Sequence, residues 1–356
     1  MESPQKINTR IPELDALKGI AVLGVLLTHY TMESKELMAY GFRLGSVGVE
    51  FLFILAGFMA MMALEKAENG KDFLIRRAWR TYPAYWASVT LTTLFIGLLM
   101  AIEHRHVFQS HLYHDNLLIQ FLANLTMLQQ YLRVLDIDTD YWTLFVGLLF
   151  YGCMYVVYLL GRLRQIELIG TVLLLPVLVY ALFAKEQLPF VHKILTYFFP
   201  LINHFPLFLA GIVFYKMKYE GATPQRYLLA AVALAIQPLL LDDGGWTWVF
   251  ASEIDLALML AAFYGIFILL IQNRLRWIVN PVTLFLGGIS YPLYLVHQVI
   301  GALVIAPLLV KYAGLSHWVA MFCVSLPCVL VFSWLIHRYI EMKATPYGAA
   351  LFTSQD

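Results

Sequence analysis

The sequence predicts an all-α integral membrane protein, a polytopic bundle of about ten transmembrane helices. Two compositional observations support this: 61% of the 356 residues are hydrophobic and only 13% are charged, with a mean hydropathy of +0.72. A soluble domain carries about twice that charged fraction. The third is that apolar runs long enough to cross about 30 Å of hydrocarbon recur along the chain. We expect one integral-membrane domain over residues 1–356, with a core at about 11–340 and no appended soluble domain.

The expected transmembrane helices follow the apolar runs of the chain. They lie at about 13–32, 46–64, 82–102, 142–160, 167–184, 198–215, 226–241, 249–271, 286–310 and 317–338. Lys and Arg are enriched in the cytoplasmic loops of membrane proteins. With a cytoplasmic N-terminus, sixteen Lys and Arg residues lie on the inner side and seven on the outer side. Both chain termini are therefore expected to be cytoplasmic, with the first helix retained as a signal anchor.

Charge and cysteine content argue against several classes of function. A net charge of +1 leaves no basic excess for nucleic acid. The three cysteines lie in apolar runs and lack the spacing of a disulfide framework or a zinc site. The longest connection, at about 103–141, contains four histidines without a fixed spacing to a carboxylate, so we expect a solvated loop and no metal. Its apolar centre, at 117–131, predicts an interfacial or re-entrant helix at the outer surface.

The first helix carries ionisable residues inside a run that is otherwise fit for lipid. Lys18 and His29 are eleven residues apart, which places them only about 20° apart around a helix and roughly 16 Å apart along it. Asp15 lies on the same stripe. Ionisable residues within a span are costly and are therefore functional candidates. The alternative is that Lys18 and His29 extend separately to the two interfaces.

The next two segments contain further candidates. Glu50 lies about one turn below the outer surface in the second helix, at a depth comparable with His29, where a carboxylate would orient an imidazole and raise its basicity. The alternative is a Glu that lines a wet vestibule. Arg77 and Arg80 are three residues apart and share a helix face. Their planar guanidinium groups suit phosphate, although an interfacial anchor among aromatic residues has the same pattern.

The ninth helix carries a polar stripe in the sequence GGISYPLYLVH. Ser290, Tyr294 and His297 follow one another at i, i+4 and i+7, which places them on one helix face. Pro292 loosens the turn beneath them. We expect this stripe to face the interior of the bundle, with Tyr294 and His297 lining a cavity.

Four motifs follow one another along the chain: LDALKGIAVLGVLLTH, VGVEFLFILAGF, FLIRRAWRTYPAYW and ISYPLYLVH. In this order they resemble the acyltransferase-3 family of membrane acyltransferases, which O-acylate sugars of bacterial surface glycans and related acceptors. The similarity covers about residues 11–340. The pairing of a basic residue and a His with ten residues between them, followed by Arg-x-x-Arg after the second helix, is similar to the signature of that family.

The resemblance implies an acyl-CoA donor that binds from the cytoplasmic side. Lys18, Arg77 and Arg80 would hold its phosphates while the pantetheine arm threads the bundle. His29, near the outer side, would be the catalytic base; the expected role of Glu50 as its orienting partner rests on its depth in the second helix. Attack by the acceptor hydroxyl on the thioester and a covalent acyl-histidine route both remain open.

The chain also departs from the pattern of the family. Lys18 stands where the family usually has Arg, which replaces a bidentate phosphate grip by a point charge. Ala56 stands where Ser is common. Gly147 stands where the fourth-helix motif usually has an acidic residue, and Glu253 or Asp255 at the outer end of the eighth helix could replace that carboxylate.

The expected function is transfer of an acyl group, most simply acetyl, from cytoplasmic acyl-CoA to a hydroxyl of a glycan or glycolipid at the outer side of a bacterial inner membrane. The candidate acceptor-binding residues are Trp142, Glu253, Tyr294 and His297. Trp142 is among them because Trp stacks on sugar faces. The alternatives are a succinyl or longer-acyl transferase, a transporter of glycans or small solutes, and a receptor-like membrane sensor.

Overall fold

The computed structural model describes residues 11–32, 37–38, 41–103, 116–243 and 245–344, in which the regular elements are all helical. The α-helices of eight or more residues are α1 (Pro12–Met32), α2 (Gly48–Lys66), α3 (Gly70–Glu103), α4 (Leu117–Asn124), α5 (Trp142–Leu159), α6 (Ile166–Val179), α7 (Pro189–Phe198), α8 (Phe205–Glu220), α9 (Pro224–Ile236), α10 (Glu253–Ile271), α11 (Pro281–Val296), α12 (Ala306–Ala313) and α13 (Leu326–Ile336). This confirms the predicted all-α class.

Eight helical segments of the described chain are long and apolar enough to cross a membrane, judged by length and composition. They are Arg43–Lys66, Gly70–Ile102, Thr139–Leu159, Leu163–Phe183, Pro224–Leu241, Glu253–Ile271, Pro281–Ala313 and Val319–Ala344. They correspond to eight of the ten expected runs. The other two are α1, whose charged first turn makes it more polar, and α8, which has only 16 residues. The count of ten and the cytoplasmic termini stay predictions.

Helix starts follow the side-chain chemistry of the sequence. Asn116 opens α4 by accepting hydrogen bonds from two backbone N–H groups of the first turn. At α10, Ser252 and Asp255 form a reciprocal capping box, and Asn280 with Thr283 does the same at α11. Such caps satisfy N–H groups that have no partner within the helix. The boundaries of these helices are therefore set locally.

Two glycine contacts bring the central helices together. A Cβ on Gly211 of α8 would lie 2.0 Å from the backbone oxygen of Ile54 in α2, and a Cβ on Gly287 of α11 would lie 2.1 Å from that of Asp15 in α1. Neither approach is possible for a larger residue. Small residues allow this backbone contact between membrane helices. The contact at Gly287 fixes α11, with its polar stripe, directly against α1.

The regular helical pattern is interrupted at two places that matter for the site. After α11, the backbone continues as a π-helix over His297–Ile305 before α12 begins. Before α5, residues Thr139–Tyr141 form a 3₁₀ turn. Such departures from α-geometry are frequent at functional sites because they re-aim side chains. Here they place His297 and Asp140 on the same side of the bundle.

The predicted interfacial segment at 117–131 is helical only in its first half, α4, and continues as turns. It lies against α3, where the Tyr85 hydroxyl donates to the Asn124 backbone oxygen at 2.6 Å and the Trp86 indole donates to that of Leu125 at 2.9 Å. Its position relative to a membrane surface stays a prediction. The four loop histidines lie outside the described residues: His104, His106, His111 and His114.

Candidate functional site

The two ionisable residues predicted on the first helix both lie on α1, which is unbroken from Pro12 to Met32. Lys18 lies near its first turn and His29 in its last. Each belongs to a different group of polar side chains.

A cavity of about 220 Å³ lies between α1, α2, α3, α5 and α11 and contains three cationic residues in its wall: Lys18, Arg77 and Arg80. Apolar side chains of α1 and α2 form its middle, including Val22 and Leu52. The structure therefore brings together the three residues predicted to hold donor phosphates. Their cationic character also suits other phosphate-bearing ligands.

Each cation is held differently. The Lys18 ammonium lies 2.6 Å from the Asp15 carboxylate. Arg77 donates from Nη2 to the Met59 backbone oxygen at 2.7 Å and lies 4.8 Å from the centre of the Tyr151 ring. Its Nε atom is buried without a hydrogen-bond partner in the part of the chain that the structure describes. Arg80 lines the cavity and is exposed.

Gly147 of α5 also lines this cavity. A Cβ at this position would meet nothing within 4 Å. The departure from the family pattern therefore leaves open space in the cavity wall. Glu341, which also lines the cavity, is the carboxylate present there among the lining residues.

Thr143 and Tyr294 also line the cavity. The Thr143 hydroxyl lies 3.1 Å from the Tyr294 hydroxyl and 2.8 Å from the backbone oxygen of Asp140. The Tyr294 ring lies 5.9 Å from the ring of His297. These two residues therefore form the layer between the cationic cavity and the second group.

The second group consists of His29, Asp140 and His297. Asp140 lies between the two imidazoles, with Oδ1 at 3.5 Å from His29 Nε2 and Oδ2 at 3.4 Å from His297 Nε2. The two imidazole rings are 5.2 Å apart, edge to face. His297 is fully buried, and the side chains of Asp140 and His29 are 9% and 13% exposed. The structure thus joins two predicted residues, His29 and His297, through a carboxylate that the prediction did not include.

Hydrogen bonds from the backbone hold this group in place. The Asp138 carboxylate accepts hydrogen bonds from the N–H of Asp140 at 3.1 Å and from the N–H of Val299 at 3.2 Å. These bonds tie the loop before α5 to the π-helix that begins at His297. Burial raises the pKa of the Asp138 carboxyl above its usual range, with the neighbouring Asp140 charge adding to the shift.

Glu50 is buried in the first turn of α2 and faces the Thr247 side chain. Its Oε2 atom finds no hydrogen-bond partner within the described ranges. The carboxylate found within ion-pair distance of His29 in the described chain is Asp140. The role of Glu50 as an orienting partner of His29 therefore stays a prediction.

The two candidates for acceptor binding outside α11 and the π-helix that follows it lie in different surroundings. The Trp142 ring packs against His204 at 5.2 Å and Phe53 at 6.0 Å between ring centres. Glu253 is exposed in the first turn of α10, two residues before Asp255, which lies 3.6 Å from Arg43. Their part in acceptor binding stays a prediction.

Asp140 is the site residue that sequence reasoning missed. The signal that could have found it is the run DIDTD at 136–140, three carboxylates directly before an apolar helix. Alternating acidic residues in a long loop are usually solvated. Here all three are buried or nearly so, and burial raises the pKa of Asp136 to about 6.

Comparisons with known proteins identify the family of the chain. A family model described as an acyltransferase domain matches residues 11–338. A protein of the Acidianus two-tailed virus that is named as an acetyltransferase is 24% identical over 297 residues, which cover 80% of this chain and 82% of that protein. No solved structure matches the chain. Because the family model spans the bundle from α1 to the last helical turns, the chain belongs to the acyltransferase-3 family.

Proposed function

We propose that this multi-pass membrane acyltransferase moves an acetyl group from cytoplasmic acyl-CoA to a hydroxyl of a glycan or glycolipid at the outer side of a bacterial inner membrane. The acetyl group is favoured because the viral relative is named as an acetyltransferase. A succinyl or longer acyl group would use the same site residues. The acceptor class follows from the family resemblance of the four motifs.

One observation carries the proposal. The opposite ends of one helix, α1, contribute a residue to the cationic cavity and a residue to the His–Asp pair. Lys18 lines the cavity and His29 lies beside Asp140. Tyr294 separates the two by a single layer. A donor that enters from one face can therefore meet an acceptor that waits at the other.

The cationic end suits the phosphates of acyl-CoA. Arg77 and Arg80 offer guanidinium donors, and the buried Nε of Arg77 has no protein partner. A hydrogen bond to a charged group contributes about 1.5–3 kcal/mol. The apolar middle of the cavity, around Val22 and Leu52, suits a pantetheine arm, and the bound donor supplies a thioester to the far end.

At the other end, His29 acts as the general base. Nε2 takes the proton of the acceptor hydroxyl while the hydroxyl oxygen bonds to the acyl carbon, and the C–S bond breaks to release the CoA thiolate. Asp140 lies 3.5 Å from Nε2 and stabilises the imidazolium that forms. A positioned base contributes about 10² to 10⁴ in rate. Tyr294 and His297 shape the space around the reacting groups.

The test is His29→Ala in the full chain, purified in detergent and returned to membranes with radiolabelled acetyl-CoA. We expect transfer to glycan to fall by about 10² or more, with acetyl-CoA affinity unchanged because His29 does not line the cationic cavity. His192→Ala, whose ring stacks on Tyr180, is the control and keeps the wild-type rate.

Two results would contradict the proposal. Full transfer in His29→Ala would remove His29 as the base. Absence of acetyl-CoA-dependent labelling of any glycan or glycolipid by the wild-type chain would remove the donor and acceptor assignment, while leaving the family membership intact.

A further inference from the structure

The group around Asp140 has the composition of a metal site. His29, Asp140 and His297 each offer one ligand atom, and these atoms all lie within 4.8 Å of one another. Two imidazoles and one carboxylate are a common ligand set for Zn²⁺, with a fourth position left for water. Mg²⁺ and Ca²⁺ prefer sites made of oxygen alone.

The tautomer of His297 also supports a metal site. Its Nδ1 lies 2.9 Å from the Tyr294 backbone oxygen, which can only accept, so the ring hydrogen must be on Nδ1. The lone pair of Nε2 then points at Asp140 Oδ2, 3.4 Å away. Neither atom has a hydrogen-bond partner among the described residues, and both are buried. Two acceptors that face each other out of contact with water are unfavourable unless a cation lies between them.

The distance between His297 and Asp140 favours a metal ion over a shared proton. A charge-assisted hydrogen bond joins nitrogen and oxygen at about 2.7–2.9 Å. His297 Nε2 lies 3.4 Å from Asp140 Oδ2. Two ligands held about 2.1 Å from a tetrahedral ion are about 3.4 Å apart. The spacing of this pair therefore fits two ligands of one ion, and the ligand atom of His29 lies within 4.8 Å of theirs.

The surroundings of the ligands also fit. A metal-binding His usually donates its other ring N–H to a backbone carbonyl or a carboxylate, which fixes the ring. His297 makes this bond to Tyr294. The backbone N–H of Asp140 donates to the Asp138 carboxylate, which holds the backbone of the ligand residue in place. The His29 side chain is 13% exposed, so the group is not completely closed to solvent.

We propose that His29, Asp140 and His297 form a Zn²⁺ site whose occupation blocks acyl transfer. Nε2 of His29 has one lone pair, which can hold a metal ion or take the proton of the acceptor hydroxyl, but not both. Zinc is therefore a reversible inhibitor that competes with the base. The inhibition rests on the proposed function of His29, whereas the binding does not.

The experiment measures binding first and activity second. The full chain in detergent, stripped with a chelator, is titrated with ZnCl₂ by isothermal calorimetry in the absence of acyl-CoA. We expect one saturable ion. His297→Ala and Asp140→Asn are expected to bind at least about tenfold more weakly, because even the loss of an outer-shell partner costs 10- to 100-fold.

The matched control is His337→Ala. The Nδ1 atom of His337 lies 2.8 Å from a Glu341 carboxylate oxygen. The variant therefore removes a His–carboxylate pair, but one that belongs to no group of three ligands in the described chain. It is expected to bind zinc as tightly as the wild type. Elution profile and circular dichroism establish that each variant is folded.

A second measurement needs no variant. Co²⁺ added to the stripped wild-type chain is expected to give the visible absorption of a tetrahedral or five-coordinate nitrogen–oxygen site, which Zn²⁺ then abolishes. Absence of saturable zinc binding, absence of this absorption, or unchanged affinity in His297→Ala and Asp140→Asn would overturn the site. Zinc bound at full occupancy without loss of acetyl transfer would overturn the inhibition. Failure of acetyl transfer itself leaves the binding results to decide the site.

Discussion

Asp140→Asn tests the pairing on which the chemistry of His29 depends. Asn has nearly the same shape as Asp and keeps the backbone oxygen that faces the Tyr294 hydroxyl, but it removes the negative charge. At 3.5 Å and an effective dielectric constant of about 20, a pair of unit charges interacts by about 4.7 kcal/mol. Each 1.36 kcal/mol corresponds to a factor of ten in rate.

The full loss of this interaction would slow transfer by about three orders of magnitude. The 13% exposure of the His29 side chain lets water compensate for part of the charge. We therefore expect kcat to fall by about 10² to 10³. The KM for acetyl-CoA is expected to stay unchanged, because Asp140 does not line the cationic cavity.

The assay follows acetyl transfer from radiolabelled acetyl-CoA to glycan in membrane vesicles that contain each variant. Asp136→Asn is the matched control: it changes a carboxyl of the same loop that bonds to Gln129, and its kcat is expected to stay within about threefold of wild type. If Asp140→Asn also stays within about threefold, the carboxylate does not stabilise a positive His29, and Glu50 becomes the candidate partner.

Two further predictions concern the cationic cavity. Arg77→Ala combined with Arg80→Ala should raise the KM for acetyl-CoA by at least about tenfold, since each lost charged hydrogen bond costs about 1.5–3 kcal/mol. The control is Arg76→Ala, which removes a pair with Asp72 outside the cavity wall. An unchanged KM in the double variant would contradict the phosphate role. Gly147→Leu should obstruct the proposed donor path and raise the KM for acetyl-CoA, because a side chain at this position has open space inside the cavity. The control is Gly152→Leu, which has equal space but an exposed position. An equal rise of KM in the two variants would show that the cavity is not the donor path.

Much of the cationic cavity could be predicted from the sequence because its signals are local. Lys18 interrupts an apolar run, and Arg77 and Arg80 share a face by simple helical spacing. The spacing of Tyr294 and His297 also indicated correctly that both side chains are buried. Eight of the ten spans expected from hydropathy correspond to helices that are long and apolar enough to cross a membrane, since apolar length is itself a property of the sequence.

The group around His29 could be predicted only in part, because its contacts join distant segments. The depth of Glu50 in its helix predicts a place beside His29, but depth along a helix does not say which way a side chain points. Asp140 precedes its helix in a loop of acidic residues, where its sequence context does not predict burial. The loop is held by the hydrogen bond from the Val299 N–H to the Asp138 carboxylate, which links residues 161 positions apart.

The sequence by itself determined the all-helical membrane class, the polar stripe of α1 with Lys18 and His29 at its two ends, and the cations that share a helix face. The tertiary structure alone decided which carboxylate meets His29 and that His297 joins it. The physical reason is that these contacts require α11 to pack backbone to backbone on α1 at Gly287. They also require a π-helix to begin at His297, and helical periodicity within one segment predicts neither.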